Sequence, residues 1–245
     1  MIEAWLERAA EQFWDAVGEP LVPPRDLASV ISRPFPLSVI TLPELDILKV
    51  EHWFAERSLS YRFLCQNRLL CGCIVAARGH GLIFIDSEDP PAEQRFTVAH
   101  EVAHFLLDYL EPRMEAIALL GTSILPVLDG ERAPTPEERI HAVLGRVKLG
   151  FYQDMMSRTA QGSIDQESIL RAEDRADRLA LELLAPTEDV LAAATTVTGT
   201  PFERVRELTE LLEQHYGLPF VVARVYAASL AKQTSRPSVA EWFGC

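Results

Sequence analysis

The chain is short of cysteine, of histidine, of positive charge and of long apolar runs. Four cysteines in 245 residues do not form a disulfide framework, which needs a small domain dense in cysteine. Cys71 and Cys73 flank a glycine and would share one side of a strand. They read as reduced thiols packed in a sheet, with a Cys-x-Cys metal site as the competing reading. Lysine and arginine total 23 against 36 aspartates and glutamates, a net charge of −13. A polyanion is repelled by other polyanions, so neither nucleic acid nor an anionic membrane is an expected partner. No segment reaches the roughly 18 apolar residues of a membrane-spanning helix. Glu3, Glu7, Arg8, Glu11 and Asp15 break any apolar core of a secretory leader, and a cytoplasmic location is expected. Internal repeats and low-complexity segments are also missing.

What is present is an ordinary globular composition, 48% apolar and 24% charged, enough to bury a substantial core. Helical spacing of Ile2, Trp5, Leu6, Ala9, Phe13 and Val17 predicts an amphipathic first helix. A Pro-rich connector, a short helix near 25–31, an extended stretch at 34–43 and a helix over 45–57 follow. Then "YRFLC", "LLCGCIVAA" and "GLIFID" read as three antiparallel strands near 61–65, 69–77 and 82–86. Asp89 as N-cap and Pro90 at the first helical position predict a helix running to about Leu110. Residues 111–134 look irregular. Capping-box patterns at Thr135–Glu138, Ser163–Gln166 and Thr200–Glu203 open three later helices. A final apolar helix should run from Pro219 to about Leu230. Helices, a small sheet and then mostly helices make an α+β fold.

One stretch carries chemistry: "RFTVAHEVAHFLLDYL", with His100-Glu101-Val102-Ala103-His104 at its centre. On a helix, positions i and i+4 lie on one face about a turn apart. Two imidazoles there can converge on one ion with bonds of about 2 Å. Glu101 sits about 100° round the helix, placed to take a proton from water without ligating the ion. The competing reading is two core histidines. Against it, Phe96, Val98, Val102, Phe105, Leu106 and Leu107 already supply the apolar surface.

A catalytic zinc usually takes three protein ligands and keeps one position open. Leu107 and Leu110 occupy the positions where the HExxHxxGxxH class has glycine and its third histidine, which excludes that class. The helix 166–184 offers a glutamate instead. Its polar stripe reads Arg171, Arg175, Arg178 and Glu182, and its apolar face Ile169, Ala176, Ala180, Leu183 and Leu184. Glu173 and Asp177 fall on the apolar face, where carboxylates are costly without a cationic partner. A zinc ion for Glu173 and a ligand imidazole N–H for Asp177 would satisfy both; a helix rotated to solvate both is the alternative. Asp108, one turn beyond His104 and expected to be solvent-exposed, is the second choice of ligand.

"GLIFIDSEDPPAEQRFTVAHEVAHFLL" followed by "AEDRADRLALELLAP" resembles the ImmA/IrrE family of metallopeptidases over roughly residues 60–230. Glu173, Ala176, Asp177, Ala180, Leu183, Leu184 and Pro186 match that family's glutamate helix. The resemblance implies a zincin-like core with the small sheet packed on the HExxH helix. It implies one Zn2+ held by His100, His104 and Glu173, with Glu101 as general base. It also implies a protein substrate, often a transcriptional repressor of stress or mobile-element genes. The expected organisation is an N-terminal helical region over 1–60, a core over 61–186 with an inserted helix near 136–158, and a C-terminal helical region over 187–245. Arg175 stands where members often carry a second glutamate and Leu179 where they often carry phenylalanine. The helix-turn-helix domain of many members has no counterpart in residues 1–60. The pair 201–216 and 219–230 is too apolar in "PFVVARVYAASL" for a recognition helix. Tyr152, His141 and several arginines remain equal candidates for stabilising an oxyanion. The rival function is a regulatory binding module that keeps the metal as a structural part.

Overall fold

The computed structural model describes residues 3–63, 66–144, 166–194 and 200–234. In chain order its elements are α1 (Ala4–Val17), a 3-10 turn at Leu27–Ser29, β1 (Leu37–Leu42), α2 (Ile47–Glu56), β2 (Gly72–Ala77), β3 (His80–Asp86) and α3 (Pro91–His104). A π-helical turn, Phe105–Leu110, leads into α4 (Glu111–Leu120). There follow α5 (Leu125–Leu128), α6 (Pro136–Leu144), α7 (Gln166–Leu184), α8 (Thr187–Ala193), α9 (Pro201–Gln214) and α10 (Phe220–Thr234). The fold is α+β, mostly helical, with one small sheet. Among the described residues no helix is long and apolar enough to cross a membrane.

The sheet differs from the sequence expectation. Its order is β1-β3-β2, with β1 parallel and β2 antiparallel to β3, so it is mixed. The first strand is "LSVITL", between the prolines at 36 and 43, rather than the run at 61–65. Parallel pairing needs a long crossover; here it carries α2 across one face before the chain returns. Residues 61–63 form no strand, and 64–65 lie outside the described residues. Phe63 is buried instead beside Tyr61, and Tyr61 packs on Phe54. Arg78 and Gly79, with φ of 51° and 83°, make the two-residue turn of the β2–β3 hairpin, which demands two left-handed residues.

Period-2 alternation gives the sheet two dry faces. Cys73, Val75 and Phe84 pack against Val50 and Phe54 of α2. Ile74, Ala76, Ile83 and Ile85 join Val98, Ala99, Val102 and Phe105 in the main core. Burial on both faces explains why β3 reads as an unbroken apolar run. The main core continues into Ala176, Leu179, Ala180 and Leu183 of α7 and Ala223, Tyr226, Ala227 and Leu230 of α10. Arg25, only 6% exposed, donates to the Leu183 carbonyl at 2.7 Å and to that of Leu21 at 2.8 Å. It ties the Pro-rich connector to the end of α7.

Helix boundaries also shift. The helix of the opening motif begins at Pro91, with Pro90 at the cap position in extended conformation (ψ 147°). A residue before proline is driven out of the helical region, and here that residue is itself Pro90. Asp89 therefore stays outside, its carbonyl accepting from Gln94 Nε2 at 2.7 Å. The helix does not stop at Leu110. It widens into the π-helical turn and continues as α4, with Pro112 in that helix's first turn. The box at Thr135–Glu138 closes as expected. The rest of the expected 136–158 helix lies outside the described residues beyond Leu144, as do Tyr152 and the Ser163 end of the next box. The box at Thr200–Glu203 is complete.

Candidate metal centre

The packing of α3 on α7 fixes the site. Val98, Ala99, Val102 and Ala103 are 3% exposed or less and seat α3 between the sheet and α7. This leaves His100 and His104 on the flank toward α7, with rings 4.6 Å apart at 77°. The two Nε2 atoms face one another at 3.0 Å. Glu173 of α7 completes the group, with Oε2 3.6 Å from His100 Nε2 and Oε1 3.8 Å from His104 Nε2.

Each imidazole is held from behind by a carboxylate. His100 Nδ1 lies 2.8 Å from Asp177 Oδ1 and His104 Nδ1 lies 2.8 Å from Asp108 Oδ2. Donation of both Nδ1 protons to these carboxylates assigns the tautomers. Both Nε2 lone pairs and the Glu173 carboxylate then point into one small space. Such an arrangement requires positive charge at its centre. Burial opposes the charged ring of His100, but hydrogen bonds to Asp177 and Glu173 and the charge of Glu101 outweigh it, pushing its pKa up to about 10.

The donor set fits a divalent ion. Bonds of about 2 Å in tetrahedral geometry set neighbouring ligand atoms roughly 3.3 Å apart, and the observed separations of 3.0, 3.6 and 3.8 Å bracket that. His100, His104 and Glu173 form a group of possible ligand atoms mutually within 4.8 Å. Glu101 stays outside the group. It is 8% exposed and turned toward the start of β2. A Cβ built on Gly72 would stand 3.7 Å from Glu101 Oε1 and collide with Thr97 Cγ2 at 2.2 Å. Only glycine lets the edge strand β2 come this close to α3.

Several expectations change here. Asp108 is neither solvated nor aimed at the ligand group; with its side chain 18% exposed it supports His104 from one turn along its own chain. Its i,i+4 spacing from His104 was the available signal, and it had been read as a ligand option. Glu173 and Asp177, with side chains 23% and 54% exposed, lie at the margin of the apolar face of α7 rather than under it. Glu182 is not on the polar stripe: it is 8% exposed, because α8 and α10 cover that side of α7. Cys71 is exposed and Cys73 buried, and both are free thiols. His141 sits on α6, outside the group of mutually close ligand atoms.

Comparisons with curated proteins and with solved structures returned no match. A comparison with family models matched residues 56–121 to Peptidase_M78, the IrrE N-terminal-like domain. That segment spans β2, β3, α3, the π-helical turn and α4, and so contains both histidines, Glu101 and Asp108. Residues 56–121 therefore match the IrrE N-terminal-like domain, which supports the ImmA/IrrE resemblance of the sequence.

Proposed function

We propose that the chain is a zinc-dependent endopeptidase acting in the cytoplasm on a protein substrate, and that this substrate is a transcriptional repressor of a stress or mobile-element response. The observation that carries the reading is the convergence of two imidazole nitrogens and one carboxylate, with a second, non-ligating carboxylate beside them. His100, His104 and Glu173 hold the ion, and Asp177 and Asp108 fix the two rings. A bound zinc ion supplies Lewis-acid polarisation of the scissile carbonyl and lowers the pKa of water at the site.

Glu101 takes a proton from the attacking water as its oxygen bonds to the carbonyl carbon. It returns that proton to the amine nitrogen as the C–N bond breaks, leaving an amine and a carboxylic acid, whose own proton then passes to the amine to give carboxylate and ammonium. Burial of Glu101 strengthens its interaction with the developing charge. The substrate lies extended along β2, an edge strand, and gains backbone hydrogen bonds there. Gly72 marks the end of that edge beside Glu101.

Metal analysis of the wild type and Glu101→Gln, followed by incubation with candidate repressors, tests this. Both proteins should hold one zinc ion, and only the wild type should cut, the variant being slower by about 10²–10⁴-fold. Equal effects of both proteins on the partner would instead select the binding module with a structural metal.

A further inference from the structure

The helix that carries Glu173 also lines a second feature. Between α7, α10 and the start of α1 lies a cleft of about 620 Å³. Asp177 and Phe96 are among its lining residues. Asp177 holds His100, and the Phe96 ring centroid lies 6.3 Å from that of His100, so the cleft adjoins the metal group's own support. Leu6, Leu181, Val222 and Val225 give it apolar walls.

Its charge is unbalanced. Four carboxylates line it, Glu3, Asp174, Asp177 and Glu182, against the one guanidinium of Arg178. Arg178 already pairs with Glu3 at 3.0 Å and with Asp174 at 3.9 Å. Glu182 is the group without a counterion in the cleft. Thr187 donates to its Oε2 twice, from N at 3.2 Å and from Oγ1 at 2.8 Å. Tyr226, in contact with Thr187 Oγ1, donates to the Ala185 carbonyl at 3.1 Å. Both hydroxyl protons at the base of the cleft are thus committed. Among the described residues no hydrogen bond reaches Glu182 Oε1. The nearby Arg25 guanidinium feels the charge of Glu182, but it bonds to the carbonyls of Leu21 and Leu183 and pairs with Asp189 at 3.8 Å. Burial, the largest influence, pushes the Glu182 carboxyl up, and the charges of Asp189 and Glu188 add to it. Glu182 is 8% exposed, and a buried carboxylate with one oxygen unmet is expensive unless a donor arrives.

We propose that this cleft is a specificity pocket for a basic side chain, arginine or lysine, of the protein substrate, with Glu182 receiving its cationic head. This rests on the peptidase reading and names a feature of its substrate. The apolar walls take the methylene stem, as they do wherever long basic side chains bury their stems and pair their heads. Asp177 and Glu182 are five residues apart, roughly 7.5 Å of helix axis, about the reach of such a side chain. The pocket would therefore select a basic residue within a few positions of the bond that is cut.

Two peptide pools test the pocket. One position is fixed as arginine in the first and as norleucine in the second, the others being randomised. Each pool is incubated with the zinc-loaded full chain, and the cuts are mapped by mass spectrometry. Binding of both pools to Glu101→Gln protein is measured separately. The wild type should cut the arginine pool at least about tenfold faster, with arginine at one fixed distance from the cut. Glu182→Gln, which can still accept from Thr187, should lose that preference without slowing the norleucine pool. Val225→Trp, which fills the cleft from an exposed position, should do the same. Equal cleavage of the two pools overturns the pocket, as does a preference that survives both variants. If neither pool is cut, the peptidase reading fails and the pocket is judged by binding. Arginine-selective binding lost in Glu182→Gln then supports it, and unselective binding overturns it.

Discussion

The two helices that face each other across the site carry their chemistry in different ways. On α3 and its π-helical continuation, His100, Glu101, His104 and Asp108 fall within nine consecutive residues. Their relative placement follows from helix geometry, and the His104–Asp108 contact closes within one helical run. On α7, Glu173, Asp177 and Glu182 span a similar length, yet two reach the histidines and the third lies in the cleft. Nothing local to α7 makes that distinction. It is set by how the helix is rotated against α3, α1 and α10. A motif helix thus states its chemistry in its own sequence, whereas its partner acquires chemistry by docking.

The largest expected effect is on the docked partner. Glu173→Ala should weaken zinc binding on the order of a thousandfold, measured by competition with a chromophoric chelator, and leave the helical circular dichroism unchanged. Retained affinity would mean that α7 contributes no ligand and would remove the comparison altogether.

The two supporting carboxylates sharpen it. Asp108→Ala and Asp177→Ala should each reduce zinc affinity about 10–100-fold. They should differ without metal. The His104 ring is 2% exposed, so Asp108→Ala strands a buried N–H and costs about 1–3 kcal/mol in denaturant unfolding. Asp177 is 54% exposed, and water takes its place at little cost. Equal stability losses would contradict a local support for one ring and an exposed, docked support for the other.

A smaller effect is expected where β2 meets α3. Gly72→Ala places a methyl against Thr97 Cγ2 and 3.1 Å from the Phe84 carbonyl. It should destabilise by about 1 kcal/mol, and Thr97→Ser in the same chain should restore most of that, since only the carbonyl contact remains. Failure of the double variant to recover would show that backbone crowding, not Thr97, limits the approach.

The smallest concerns α6, away from both helices. Arg132 bonds the Glu138 carboxylate and, with the Thr135 N–H, lowers its pKa from 4.5 to about 2. A folded-state value below the unfolded one gives stability that is present above about 4.5 and lost as pH falls through about 2. The melting-temperature difference between wild type and Glu138→Gln should therefore shrink as pH drops from 4.5 toward 2. A difference that stays constant over that range would show that the ion pair does not form in solution.

Much of this was legible because it is local. Short apolar runs between turn residues gave β2 and β3, caps gave α6 and α9, and i,i+4 spacing gave the histidine pair. The stretch at 34–43 reads as extended, but its prolines hid that 37–42 joins the sheet, although edge strands tolerate proline at their ends. The run at 61–65 was misread because a short apolar segment can bury rings without joining a ladder. Glu182 was assigned to solvent because helical periodicity shows which residues share a face, but not how many faces are covered.

The sequence by itself determined that two imidazoles and an adjacent carboxylate share one helix, since 3.6 residues per turn leaves no other arrangement. Only the tertiary structure decided which acidic side chains of α7 meet them and which one is left buried beside a cleft. The reason is that helix rotation is chosen by all the surfaces packed against it. For α7 those surfaces come from α1, α3 and α10, which are far from it in the chain, as well as from the adjacent α8.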